Sequence, residues 1–133
     1  MNTCMEVKTV TLGGQMGLKA LIAVARHGAR VEFSDAYRGR VNRSRALVEP
    51  WIDEGKVMYG VTTGFGALCD RAISKEDTAQ LQKNIILSHA TSVGEPFTPE
   101  QARATLFMVL QNLGQGYSGV RMLVLETLRD ILN

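Results

Sequence analysis

Cysteine is scarce: Cys4 and Cys69 are the only two. Their separation fits neither a metal-ligand spacing nor a disulfide framework, so the chain reads as a reduced, cytoplasmic protein without a metal. Aromatic residues make up 6%, which leaves few platforms for stacking bases. Charge of neither sign dominates; a net charge of +2 offers no strong field to nucleic acid or to an anionic membrane. Arg38, Arg40, Arg43 and Arg45 do cluster. Interleaved with polar residues on an expected helix, they read as a solvated or partner-facing surface rather than a nucleic-acid site. No run approaches the roughly 20 apolar residues of a membrane span. Ala23-Val24-Ala25 resembles a signal-peptidase site, but Lys19 interrupts the apolar run and Glu6 precedes it, so a packed helix explains the segment better. Internal repeats, linkers and low-complexity stretches are also missing, which points to a single domain over residues 1–133.

What is present suits a core-forming, mostly helical chain: 45% of the 133 residues are apolar. Val7 to Leu12 reads as a short β element stopped by Gly13-Gly14. Gln15 to Arg26 reads as a helix with Leu18, Leu21, Ile22 and Ala25 on one face and Gly28 as its stop. Val31 to Phe33 is a second short strand or an extended link. Ser34 is an N-cap for a helix running toward Ile52, with a break or kink expected near Glu49 because of Pro50. Ser74 and Asp77 resemble a capping box for a helix ending near His89. Thr98-Pro99-Glu100-Gln101 is a strong helix start. The following Ala102 to Leu113 segment is apolar nearly all round, so burial on most sides is expected, against another copy of the chain or a second polypeptide, the alternative being an unusually central helix within a monomer. Ser118 is expected to cap a last helix carrying Val120, Leu123, Val124, Leu128 and Ile131.

Catalytic candidates centre on Tyr59-Gly60-Val61-Thr62-Thr63-Gly64-Phe65-Gly66. Three glycines allow a mobile loop, and a phenol stands at its edge. A phenol ordinarily has a pKa of about 10, so service as a general base at neutral pH needs about three units of depression, roughly 4 kcal/mol. Lys56 is the one obvious cation nearby in sequence. Taken without other information, Tyr59 reads as a turn or core tyrosine. His89 sits where a helix should end; it reads alone as a structural histidine, with ligand contact the alternative. His27 fits a helix C-terminus. The glycine loop matches neither a Walker A nor a dinucleotide fingerprint, and no Ser-His-Asp set assembles.

The blocks together resemble the aromatic amino acid ammonia-lyases, the histidine and phenylalanine ammonia-lyase family, over nearly the whole chain. The Tyr59 to Gly66 stretch is similar to the family's tyrosine loop. Leu81-Gln82-Lys83-Asn84, Ser88-His89-Ala90 and Val93-Gly94-Glu95-Pro96 are similar to its next block, and Gln115-Gly116-Tyr117-Ser118-Gly119-Val120-Arg121 to its third. The resemblance implies the helical N-terminal domain of such a lyase. It implies elimination of ammonia from an L-amino acid, with Tyr59 removing the β-proton. Ser88 and His89 are implied as the pair that reads the substrate side chain, in the histidine-type version. Thr62-Thr63 and Gln115-Gly116-Tyr117 look more like the phenylalanine branch; the pocket pair should dominate selectivity.

The family activates the amine with an electrophilic methylidene-imidazolone (MIO) group built from an internal Ala-Ser-Gly. No such triplet occurs in the 133 residues. Ser92 replaces a usual glycine, and Val109 and Gln111 replace a common arginine and asparagine. Two expectations follow. In one, the chain is the N-terminal part or small subunit of a split ammonia-lyase, inactive alone and completed by a partner supplying MIO. In the other, it is a non-catalytic helical module that self-associates or binds a small molecule.

Overall fold

Alternation of apolar and polar residues in TVTL makes β1, Thr9–Leu12, with Val10 and Leu12 turned inward. Helix α1, Leu18–His27, follows. Gly28 closes it with φ +67°, and the Ala29 N–H then donates to the Ala23 carbonyl at 3.0 Å. Strand β2, Arg30–Phe33, returns parallel to β1, pairing Thr9 with Arg30 and Leu12 with Phe33. The expected β element is therefore a complete β-α-β unit. The expected apolar face of α1 holds in part: Ala25 is buried and Leu21 packs against the core, but Ala23 and Val24 are buried as well and Leu18 is 70% exposed. Gly17 takes the N-cap place in extended conformation, so the helix begins one turn later than its hydrophobic pattern suggests.

Ser34 caps helix α2, Asp35–Asp53, its Oγ accepting the Tyr37 N–H at 3.2 Å. Pro50 lies inside this helix, which runs on to Asp53, so of the expected break or kink the break does not occur. The missing N–H costs one bond, to the carbonyl of Ala46, an exposed residue beside water. Helix α3 is Lys75–His89. Helix α4, Pro99–Leu113, starts with the expected capping box between Thr98 and Gln101. Helix α5, Met122–Leu132, has Arg121 rather than Ser118 at its N-cap. Its buried residues are Leu125 and Leu132; of the expected set, Val120 and Leu128 pack against the core, whereas Leu123 and Ile131 are exposed.

This computed structural model describes residues 7–63, 66 and 75–133, those of 75–79 by backbone alone. Two compact units divide the chain: Met1–Leu47 with Pro96–Asn133, and Val48–Glu95. The described residues are mainly helical, with one short two-stranded sheet. Among them no helix is long and apolar enough to cross a membrane, and no cluster of metal-ligating side chains forms.

The first unit's core joins Leu12, Val24, Val31, Tyr37, Val41, Phe107, Leu110 and Leu125. Tyr37 is its polar pivot. Its ring stacks on Phe33 at 4.4 Å, and its hydroxyl donates to the Leu110 carbonyl at 2.6 Å. Gly114 lies against that ring so closely that a Cβ there would stand 1.9 Å from Tyr37 Cε2. Burial pushes the phenol up to about 12, against the opposing pull of the Arg40 charge.

Three of the four clustered arginines work inward, which corrects the surface reading for Arg38, Arg40 and Arg45, while Arg43 is exposed as expected. Arg40 donates to the carbonyls of Gly114 (3.1 Å) and Gly13 (3.0 Å), Arg45 to that of Gly119 (3.4 Å), and Arg38 pairs with Glu126 at 2.6 Å. Guanidinium forks suit this task because they satisfy several carbonyls at once. Arg103 does the same from α4, donating to Val24 O at 2.8 Å and Leu132 O at 2.6 Å, near the C-terminal ends of α1 and α5. Within this chain alone, helix α4 is buried on one side. Phe107 and Leu110 point inward, whereas Met108 and Val109 remain 51% and 37% exposed. With Leu21 and Ala104 these two line an open apolar groove of about 510 Å³.

Candidate active site

The Tyr59 loop begins where α2 stops. The N–H groups of Gly55 and Lys56 close the helix onto the carbonyls of Ile52 and Trp51, at 3.1 and 2.9 Å. Lys56 directs its ammonium to Glu54 at 2.9 Å and over the Trp51 ring, 5.5 Å from its centroid. The chain then folds into a tight turn around the Met58 carbonyl, which accepts the N–H groups of Val61 and Thr62 at 3.1 and 3.0 Å.

Two threonine hydroxyls fasten the turn. Thr62 Oγ1 accepts the Met58 N–H at 2.9 Å and donates to the Lys56 carbonyl. Thr63, 1% exposed, accepts the Gly60 N–H and donates to the Met58 carbonyl, both at 3.4 Å. Side-chain hydroxyls competing for local backbone groups in this way favour turns over helix or strand. Gly60, at φ +70°, supplies the left-handed step that brings these groups together. Tyr59 stands on the turn 66% exposed. Gly66 is also left-handed, at φ +56°; Gly64 and Phe65 lie outside the described residues.

Helix α3 brings the second pair. Its expected N-cap, Ser74, lies outside the described residues, as does the Asp77 side chain. The helix ends at His89, as its sequence predicts, and the Ala90 N–H closes the last turn on the Ile86 carbonyl at 2.9 Å. Ser88 and His89 are both exposed and meet each other: Ser88 Oγ is 3.0 Å from His89 Nδ1. Both also reach the Ile85 carbonyl, Ser88 Oγ at 3.0 Å and His89 Nδ1 at 2.9 Å. Ile85 escapes sequence reasoning because its contribution is a backbone oxygen; the only trace is the four-residue spacing to His89.

Tyr59, Ser88 and His89 thus belong to the same unit, each set in place by its own local backbone. The third block lies in the other unit and is used structurally. The Gly119 N–H donates to Ser44 Oγ at 2.9 Å, and its carbonyl accepts Arg45. Tyr117 is almost fully exposed. Tyr117-Ser118-Gly119 is therefore a segment tied to α2.

The family model for aromatic amino acid lyases matches residues 16–133, and the chain belongs to that family. Within it, the sequence is 45% identical over 116 residues to histidine ammonia-lyase 1 of Fusobacterium nucleatum, covering 87% of this chain and 22% of that one. Two solved structures carry the same fold. The ergothioneine-degrading ergothionase of Treponema denticola superposes with a TM-score of 0.89 at 29% identity, covering 94% of this chain and 25% of that one. Histidine ammonia-lyase of Trypanosoma cruzi does so with a TM-score of 0.83 at 32% identity, covering 93% and 24%. The chain therefore spans about a quarter of the length of the relatives it matches.

Proposed function

We propose that this chain is the N-terminal part, or the small subunit, of a histidine-type ammonia-lyase. In this reading it contributes the base and the side-chain reader to a site completed by other residues. The observation that supports this best is the joint placement of Tyr59 on a stitched turn and His89 on a helix end, in one unit of a chain with this family membership.

In the proposed reaction the Tyr59 phenolate accepts the β-proton of an amino acid bound beside it. Its exposure on a turn lets a substrate approach the ring once the site is closed by the rest of the assembly. His89 meets the substrate side chain, and Ser88 supports His89. The MIO group, which these 133 residues do not build, supplies an electrophile for the amine when a partner chain contributes it. The outer face of α4, with Met108 and Val109, is the surface we assign to that partner or to another copy of the chain.

The purified chain should form no unsaturated acid from histidine. Mixed with the product of an adjacent reading frame, or with a lyase segment lacking its own N-terminal quarter, it should do so, as read by ultraviolet absorbance. Turnover by the chain alone contradicts the split-site reading. Assembly without turnover favours the non-catalytic module. His89→Leu should move preference from histidine toward phenylalanine by about tenfold or more, because a buried polar group left unpaired discriminates strongly. An unchanged preference removes His89 from substrate selection.

A further inference from the structure

The hydrogen bonds at the end of α3 fix more than the position of His89. Its Nδ1 lies 2.9 Å from the Ile85 carbonyl, which only accepts. In the neutral ring Nδ1 must therefore carry the proton, because a lone pair there would face the carbonyl's own. Ser88 Oγ lies 3.0 Å from the same carbonyl and 3.0 Å from Nδ1. Its proton goes to Ile85 O, so its oxygen presents a lone pair toward Nδ1–H. Carbonyl and hydroxyl both favour the proton on Nδ1, at the negative end of a helix where a donor is welcome.

The opposite tautomer keeps one good contact and creates one bad one. With the proton on Nε2, Ser88 could donate to Nδ1, but Nδ1 would still oppose Ile85 O at 2.9 Å. Ser88 would also have to leave that carbonyl. Among the described residues no protein group is bonded to Nε2, and His89 is exposed. The lone pair on Nε2 is thus the polar face that the histidine presents outward.

We infer that Ser88 is a positioning residue that holds His89 as its Nδ1–H tautomer, so that Nε2 acts as a hydrogen-bond acceptor. The substrate side chain this selects carries a donor at its tip: an imidazole N–H or a phenol O–H. An unsubstituted phenyl ring, or a neutral imidazole methylated on nitrogen, offers none. This rests on the proposed lyase role for its substrate side, but the tautomer is a property of the chain itself.

The two parts are tested separately. Nitrogen-15 NMR of the intact, ring-labelled chain, at a pH well above the ordinary histidine value of about 6.5, reports each ring nitrogen. The His89 signals are identified by their loss in His89→Leu. Nδ1 should show the protonated, pyrrole-type shift and Nε2 the unprotonated, pyridine-type shift; the reverse order overturns the inference. Ser88→Ala should move both shifts toward intermediate values, and Ser88→Thr should restore them. Unmoved shifts in Ser88→Ala remove the positioning role. Ser88 is exposed, and circular dichroism checks that its variants keep the helix.

In the active assembly, Ser88→Ala should raise KM for histidine by about fivefold, the scale of one neutral hydrogen bond, with kcat changed less. Ser88→Thr should recover it. Ring-methylated histidines should be poor substrates for the parent assembly and lose little further in Ser88→Ala. Equal use of histidine and its methylated forms contradicts donor selection while leaving the NMR result standing. Absence of turnover in every assembly overturns the selection claim together with the proposed function, and the NMR shifts still decide the tautomer.

Discussion

Tyr37 shows how one side chain can organise a core and make its stability depend on pH. Its hydroxyl is buried and bonded to Leu110 O at 2.6 Å. Tyr37→Phe should cost about 1 kcal/mol, read as a lower urea midpoint, since only one neutral bond is lost. Alkaline titration separates the bond from the ring. The phenol of the unfolded chain ionises near 10, whereas burial pushes it up to about 12 in the folded chain. Between those values the unfolded state has released a proton that the folded state keeps. Stability should therefore fall as pH rises from about 10 toward about 12, and this part of the fall should vanish in Tyr37→Phe. Equal alkaline slopes for both chains contradict the assignment. Gly114→Ala should be more damaging than Tyr37→Phe, by about 2 kcal/mol or more, because its Cβ has no space against the Tyr37 ring. A midpoint unchanged by that methyl group contradicts the close approach.

At the scale of elements, start and stop signals are more legible than faces. Thr98 and Gln101 announce α4, Ser34 announces α2 and Gly28 ends α1, each by a local hydrogen bond or a backbone angle. Thr98→Ala should cost about 1 kcal/mol and lower the thermal midpoint, as loss of a helix cap does. An undiminished midpoint argues that the box adds nothing beyond the proline. The faces of α1 and α5 depart from expectation in part, and for a physical reason. Both helices are rich in large apolar residues on several sides, and the β-α-β unit and Arg103 decide which side turns inward. Beside the expected Ala25, the small Ala23 and Val24 are buried, a choice that counting large side chains misses. The same long-range effect hides the arginines, whose targets are carbonyls more than 25 positions away in the chain. Replacing Arg103 with Met should cost about 3 kcal/mol, since it strands carbonyls at two helix ends. A loss under about 1 kcal/mol would show that water satisfies those carbonyls equally well.

For the molecule as a whole, family and helical class are readable from three sequence blocks, and the match over residues 16–133 carries them. The candidate site is legible by residue type but not by role. Thr62 and Thr63 read as loop residues, and they build the turn that carries Tyr59. Ser88 reads as half of a specificity pair, and it faces its neighbour's ring. What sequence could not show is the geometry of the turn, in which left-handed Gly60 and two threonine hydroxyls hold the phenol exposed. The direct test of this account is the rate of unsaturated-acid formation from histidine by an active assembly containing Tyr59→Phe. The account predicts that the assembly forms as before and that turnover falls by at least about a hundredfold, the lower end of what a general base contributes. Turnover at the parent rate in an intact assembly would contradict it.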